Sequence, residues 1–114
     1  LCDAPINLPA MIRAHDGKEA TLLVDCTSVW ITNLLINRKD IQSYRDDFID
    51  ALDTASGKII VVASETGLGI VPDNKLSRQF RDANGETNQA IAQIANCVFF
   101  LVAGIVQKIK STEN

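Results

Sequence analysis

Three short, unbroken apolar runs constrain this chain more than any other feature. They are residues 21–25 (Thr21, Leu22, Leu23, Val24, Asp25), 59–63 (Ile59, Ile60, Val61, Val62, Ala63) and 97–102 (Cys97, Val98, Phe99, Phe100, Leu101, Val102). Runs that are continuously apolar and rich in β-branched or aromatic residues suit strands covered on both faces. All three are therefore expected as buried parallel strands. Helical patterns fill the gaps. Ile41, Tyr44, Phe48, Ile49 and Leu52 fall on one helical face, and so do Leu76, Phe80, Ala83, Thr87, Ala90, Ile91 and Ile94. Asp73, just after Pro72, stands where it can cap the second of these helices. Residues 9–15 predict a short leading helix, and residues 105–110 predict a last strand turning back antiparallel through a corner at Gly104. Alternating strands and helices mean an α/β domain with a mainly parallel sheet, right-handed crossovers and a C-terminal antiparallel strand. Three parallel strands make a narrow sheet that leaves one edge short of neighbours, as expected of a chain that starts in the middle of a domain.

Composition narrows the function classes. At 114 residues the chain suffices for one small domain. Its 46% apolar and 22% charged residues are ordinary for a globular protein and argue against disorder. A net charge of −3 predicts no nucleic-acid partner and no anionic-membrane footprint. The longest apolar run, residues 98–104, is too short to span a bilayer, and no secretory signal precedes the first helical segment. A cytoplasmic location is expected. Cys2, Cys26 and Cys97 are isolated and odd in number and form no metal-ligand cluster. Buried, reduced thiols are the expected state.

Ligands of open parallel sheets bind beyond the carboxyl ends of the strands. Asp25 ends the first run. An acid there either caps the next helix or reaches a nucleotide crevice to hold Mg²⁺, and the residues alone leave both open. Glu65 follows the second run in a loop containing Gly67 and Gly69, which allow positive φ or close backbone approach to a ligand. That loop lacks the lysine of a phosphate-binding P-loop, and a plain connecting turn stays open beside a ligand contact. Arg78 and Arg81 suit either phosphate neutralisation or a solvated helix face. His15, the only histidine, reads as a surface residue, and Trp30 as a packing residue rather than a stacking platform.

Several of these segments together resemble the bifunctional adenosylcobinamide kinase / adenosylcobinamide-phosphate guanylyltransferase family. Residues 25–35 carry an acid, a cysteine and a Thr32, Asn33, Leu34, Leu35 ending that look like its strand-to-helix motif. Residues 65–72 resemble its Asn-Glu-Val-Gly-x-Gly-Ile-Val-Pro loop, and the likeness continues through Arg78, Phe80, Arg81, Asp82, Gly85, Asn88 and Gln89 into residues 101–110. The ordered motifs cover nearly the whole chain. Departures are Leu1 and Asp3, where Thr and Glu are common, Thr27 where an apolar residue is usual, and Ala63 and Ser64 where Ser-Asn or Thr-Asn is usual.

The resemblance implies a three-layer, P-loop NTPase-like (RecA-like) domain, of which residues 1–114 would be the C-terminal part, with the N-terminal part missing. It implies phosphorylation of adenosylcobinamide and then transfer of GMP from GTP to the resulting phosphate through a guanylylated histidine. GTP, ATP and Mg²⁺ would be the cofactors, adenosylcobinamide and nucleotides the partners, and a homo-oligomer the assembly. Asp3 and Asp25 would contact the guanine nucleotide or its Mg²⁺, with Glu65, Gly67 and Gly69 shaping the site. The family's P-loop and histidine precede the segment resembling Asp3, so no catalytic residue is expected in residues 1–114, and His15 does not match by position. The alternative from another class is a small non-catalytic α/β binding or regulatory module.

Overall fold

The computed structural model describes residues 1–67 and 74–112. Eight elements follow one another: α1 (Leu8–His15), β1 (Thr21–Asp25), α2 (Thr27–Ile36), α3 (Ile41–Asp53), β2 (Lys58–Val62), α4 (Lys75–Ile94), β3 (Cys97–Val102) and β4 (Ile105–Ser111). The chain is α/β, with β1 and β2 paired in parallel from Thr21 opposite Lys58 to Asp25 opposite Val62. The second strand begins and ends one residue earlier than its apolar run.

The third run departs from expectation. β3 does not join the parallel pair. It forms a separate antiparallel hairpin with β4, from Cys97 opposite Ser111 to Val102 opposite Ile105. The turn between them passes through Ala103 and Gly104, both at positive φ (52° and 73°). Two successive positive φ values match the twist that a two-residue hairpin needs. The antiparallel return of the chain is thus as expected, but the parallel sheet has two described strands rather than three.

Burial on both faces is also corrected. Leu22, Val24, Ile59 and Val61 pack with the core, while Leu23 (64% exposed), Ile60 (47%) and Val62 (42%) show their side chains on the other face. A strand alternates its side chains, so a pair covered by helices on one side leaves every second residue out. On the hairpin Phe99, Leu101, Val106 and Ile109 are likewise exposed.

The core gathers Leu8 and Ile12 of α1, Val24 of β1, Trp30, Ile31 and Leu34 of α2, Phe48 and Ala51 of α3, and Ala83 of α4. The α3 face read from the sequence is the buried one, with Phe48 fully enclosed. Trp30 packs on Phe48 with ring centroids 5.0 Å apart, a tilted arrangement that favours aromatic contact. Its indole N–H donates to the Ile6 carbonyl at 2.9 Å, which ties the N-terminal segment to α2. Trp30 is therefore a packing residue. The cysteines are free but not fully buried as expected: Cys2 is exposed, and Cys26 and Cys97 are half-buried. The cap of α4 is Asn74, whose side chain accepts from the N–H groups of Leu76 and Ser77. Asp73, expected in that role, lies outside the described residues.

The start of β2 is pinned by two constraints. Asp16 accepts the backbone N–H groups of Ser56 (2.8 Å) and Gly57 (2.9 Å), and these bonds lower its carboxyl pKa below the usual 3.8. A Cβ on Gly57 would run into the carbonyl oxygens of Gly17 and Ala20, the second at 2.6 Å. Since Lys58 N–H donates to that same Ala20 carbonyl at 3.0 Å, backbone rather than side chain would have to move. Gly57→Ala is expected to destabilise the fold by about 2 kcal/mol, the usual scale of overpacking, as read by urea unfolding. An unchanged midpoint would contradict the close approach. Because the folded pKa of Asp16 is depressed, its ionised form adds stability that is present above the unfolded value and lost as pH falls through the folded one. Asp16→Asn should therefore melt below wild type at pH 7, and the gap should close on acidification through and below pH 3.8.

Candidate functional site

The register of the parallel pair sets the site. Because Asp25 lies opposite Val62, the carboxyl ends of β1 and β2 finish side by side, and residues 63–67 leave from the same edge as α2 begins. Asp25 is exposed, and its side chain makes no hydrogen bond or ion pair with a described residue. The residue in the cap position of α2 is Cys26, and no side chain caps that helix. Of the two readings that the residues leave open, the helix cap is not one that Asp25 makes in this structure.

The loop after β2 is held by side chains from two helices. Thr27 of α2, fully buried, donates its hydroxyl to the Val62 carbonyl at 3.4 Å. Ser64 N–H donates to Ser28 Oγ at 2.9 Å, and Ser28 Oγ donates to Asn84 Oδ1 at 2.8 Å. Asn84 Nδ2 donates to the Ser64 carbonyl at 2.8 Å and to Thr66 Oγ1 at 3.3 Å. Asn88, one turn along α4, gives the same carbonyl a second bond at 3.1 Å. Buried polar groups must find partners, and these find them across three elements.

Glu65 folds back so that its Oε1 accepts the Gly67 N–H, and a Cβ on Gly67 would stand 2.8 Å from that oxygen. Glycine at 67 thus lets the carboxylate approach. Arg81 donates to the Gly67 carbonyl at 3.0 Å, so this half-buried arginine is bound to the loop rather than lying on a fully solvated face. Arg81 Nε and Asn88 Oδ1 are buried without partners among the described residues. One donor and one acceptor thus stay unsatisfied on side chains that hold the loop. A shallow pocket of about 210 Å³ beside the loop is lined by Gly67, Arg81, Asp82 and Glu86. A wider cleft of about 730 Å³ lies elsewhere, between the end of α2 (Leu35, Arg38) and the first turn of α4 (Lys75, Leu76). Its lining includes neither Asp25 nor Glu65, so strand-end chemistry does not belong to it.

Among the residues singled out from the sequence, Asp25, Glu65 and Gly67 share the carboxyl edge of the sheet. Gly69 lies outside the described residues. Asp3 is exposed in the segment before α1, and no hydrogen bond or ion pair joins it to Asp25 or Glu65. His15 is at the surface as expected, with its Nε2 3.7 Å from Cys2 Sγ. No group of three or more His, Cys, Asp or Glu side chains among the described residues could enclose a metal ion. Among the described residues no helix is long and apolar enough to cross a membrane. The sequence reading missed Ser28 and Asn84. The available signal was an asparagine at position 84, between the stripe residues Ala83 and Thr87, where a buried amide requires partners.

Comparison with known proteins adds an independent line. The family described as cobinamide kinase / cobinamide phosphate guanyltransferase matches residues 1–109. The bifunctional adenosylcobalamin biosynthesis protein CobP of Pseudomonas aeruginosa is 38% identical over 110 residues, covering 95% of this chain and 64% of that protein. The bifunctional adenosylcobalamin biosynthesis proteins CobU of Salmonella typhimurium and Escherichia coli are 35% and 32% identical over 119 residues, each alignment covering 91% of this chain and 66% of the relative. The chain thus spans just under two thirds of the length of these relatives.

The contacts of Asp25 yield a stability test. Removing a helix cap typically costs about 1 kcal/mol, whereas truncating an exposed, uncontacted side chain stays within about 0.5 kcal/mol. Asp25→Ala is expected to melt within that smaller range of wild type. A loss of cap size would show that the carboxylate supports α2 after all.

Proposed function

The chain belongs to the cobinamide kinase / cobinamide phosphate guanyltransferase family, and from that membership we propose that it serves cobalamin biosynthesis as part of the enzyme that phosphorylates adenosylcobinamide and then attaches GMP to the phosphate. In the first reaction the terminal phosphoryl group of a nucleoside triphosphate, ATP or GTP, passes to the cobinamide hydroxyl oxygen. The hydroxyl proton is released and a nucleoside diphosphate leaves. In the second, the α-phosphorus of GTP is transferred with loss of pyrophosphate, by way of a histidine, to an oxygen of adenosylcobinamide phosphate. No residue of 1–114 is assigned as that histidine or as the phosphate cradle. A non-catalytic module gains no support from a family of this kind.

The observation that carries the reading is the exposed, unpartnered Asp25 at the strand edge beside the loop of residues 63–67. An acid on a rigid strand end, free of protein partners, is available to a ligand in the crevice where open parallel sheets bind theirs. Mg²⁺ fits this donor set. It commonly keeps several waters and takes one or two carboxylates plus substrate phosphates, so a single free acid suffices where a three-ligand cage would not be expected. Asp25 would hold the ion directly or through water, and the ion would neutralise charge on the nucleotide phosphates. The loop's part is to orient: Glu65 and Gly67 line the site, and Arg81 and Asn88 hold the loop through the Gly67 and Ser64 carbonyls. Gly69 and Asp3 complete the assignment, Asp3 on the nucleotide or its Mg²⁺. Residues 1–114 form the C-terminal part of one three-layer, P-loop NTPase-like nucleotide-binding domain, active as a cytoplasmic homo-oligomer.

The test is Asp25→Asn in the full-length protein. The change keeps size and removes charge, so GTP affinity at fixed Mg²⁺ should fall on the order of tenfold, by analogy with losses around metal sites. Its Mg²⁺ dependence should flatten, while the melting temperature holds. Wild-type affinity with wild-type Mg²⁺ dependence would remove Asp25 from the site.

A further inference from the structure

We propose that Asn84 is a positioning residue for the nucleotide-facing loop: its carboxamide fixes Ser64 and Thr66 against the start of α2 and thereby sets where Glu65 and Gly67 stand. The consequence for nucleotide rests on the function proposed above; the clamp itself rests on geometry. Asn84 is fully buried within a 20-residue helix, between the buried Ala83 and Thr87. A buried carboxamide without partners is costly, so the identity of those partners is informative.

The described side-chain bonds of Asn84 all leave its own helix. Ser64 N–H donates to Ser28 Oγ (2.9 Å), Ser28 Oγ donates to Asn84 Oδ1 (2.8 Å), and Asn84 Nδ2 donates to the Ser64 carbonyl (2.8 Å). The three bonds close a ring that holds both backbone groups of one loop residue. Its direction is determined by chemistry. The Ser64 carbonyl can only accept, so the NH₂ of Asn84 must face it and Oδ1 must face Ser28. The second Nδ2 bond, to Thr66 Oγ1 at 3.3 Å, brackets Glu65 between two held neighbours. Thr87 supplies the contrast. It is as fully buried on the same helix, but its hydroxyl donates to Ala83 O within that helix and accepts from Arg45 Nε of α3. Thr87 stabilises helix packing and does not touch the loop.

The two side chains make a matched test in the full-length protein. Hydrogen exchange of residues 60–67 and the GTP kinetic constants are measured for Asn84→Ala and Thr87→Val. Asn84→Ala should speed exchange of residues 63–67 and raise the KM for GTP, each by on the order of tenfold, with a smaller change in kcat. Thr87→Val should lower the melting temperature while leaving loop exchange and KM as in wild type. Equal behaviour of the two variants, or loop exchange at the wild-type rate in Asn84→Ala, would overturn the proposal, as would fast exchange with an unchanged KM. If Asn84→Ala does not fold, Ser28→Ala removes the acceptor of Ser64 N–H and must give the same fast loop exchange, or the clamp is wrong. Absence of GTP turnover in the wild-type protein would defeat the nucleotide reading alone, because exchange reports the clamp without any substrate.

Discussion

Everything at the candidate site depends on the register in which β2 lies beside β1. That register places Val62 opposite Asp25 and sends residues 63–67 out beside the first turn of α2. A slip of one residue would reverse every side chain of β2, turning Ile59 and Val61 outward and carrying the loop away from Asp25. Both ends of β2 are therefore fastened by polar bonds rather than by packing alone. At the start, Asp16 grips the Ser56 and Gly57 amides and the Ala20 carbonyl takes Lys58 N–H. At the finish, Thr27 reaches the Val62 carbonyl, and Ser28 with Asn84 holds Ser64.

The apolar core and the polar bonds have separate tasks. Burial of Trp30, Ile31, Leu34 and Phe48 supplies most of the driving force, but that force has no direction and tolerates exchange of similar shapes. Hydrogen bonds in a dry environment add modest net stability, yet an alternative arrangement that left them unmade would be expensive. The ring around Ser64 works in this way. It favours the loop conformation in which Ser64, Ser28 and Asn84 satisfy one another.

The elements legible in the sequence were those with a local cause. β1 matches its apolar run residue for residue, and α3 buries the face that its spacing marks out. The turn at Gly104 was readable because few other residues accept its φ. What failed was non-local. An apolar run states that a strand prefers to be covered. It does not state which neighbours it takes: residues 97–102 are expected both to extend the parallel pair and to meet the returning residues 105–110, and among the described residues only the antiparallel pairing forms. The site was half legible for the same reason. Asp25 ends β1 and Glu65 follows β2 by three residues, so both are marked as candidates by position alone. Ser28 and Asn84 are 56 residues apart, and only the packing of α2 on α4 makes them partners.

Thr27 and Ser64 belong to the same hydrogen-bonded cluster. They are distant in sequence, yet both act within one cluster at the carboxyl end of β2. Thr27 places a hydroxyl against the Val62 carbonyl, and two residues on Ser64 is held through its backbone by Ser28, Asn84 and Asn88. Residues that share a hydrogen-bonded cluster do not contribute independently, so neither can be weighed alone. A serine at 64 offers the site only a short hydroxyl, and in this chain the carboxamides that secure that position come from α4. The geometry of the loop is consequently a property of the α2–α4 packing as much as of residues 63–67. A change at Ser28 or Asn84 should therefore reach the carboxyl edge of the sheet through its bonds to Ser64 and Thr66.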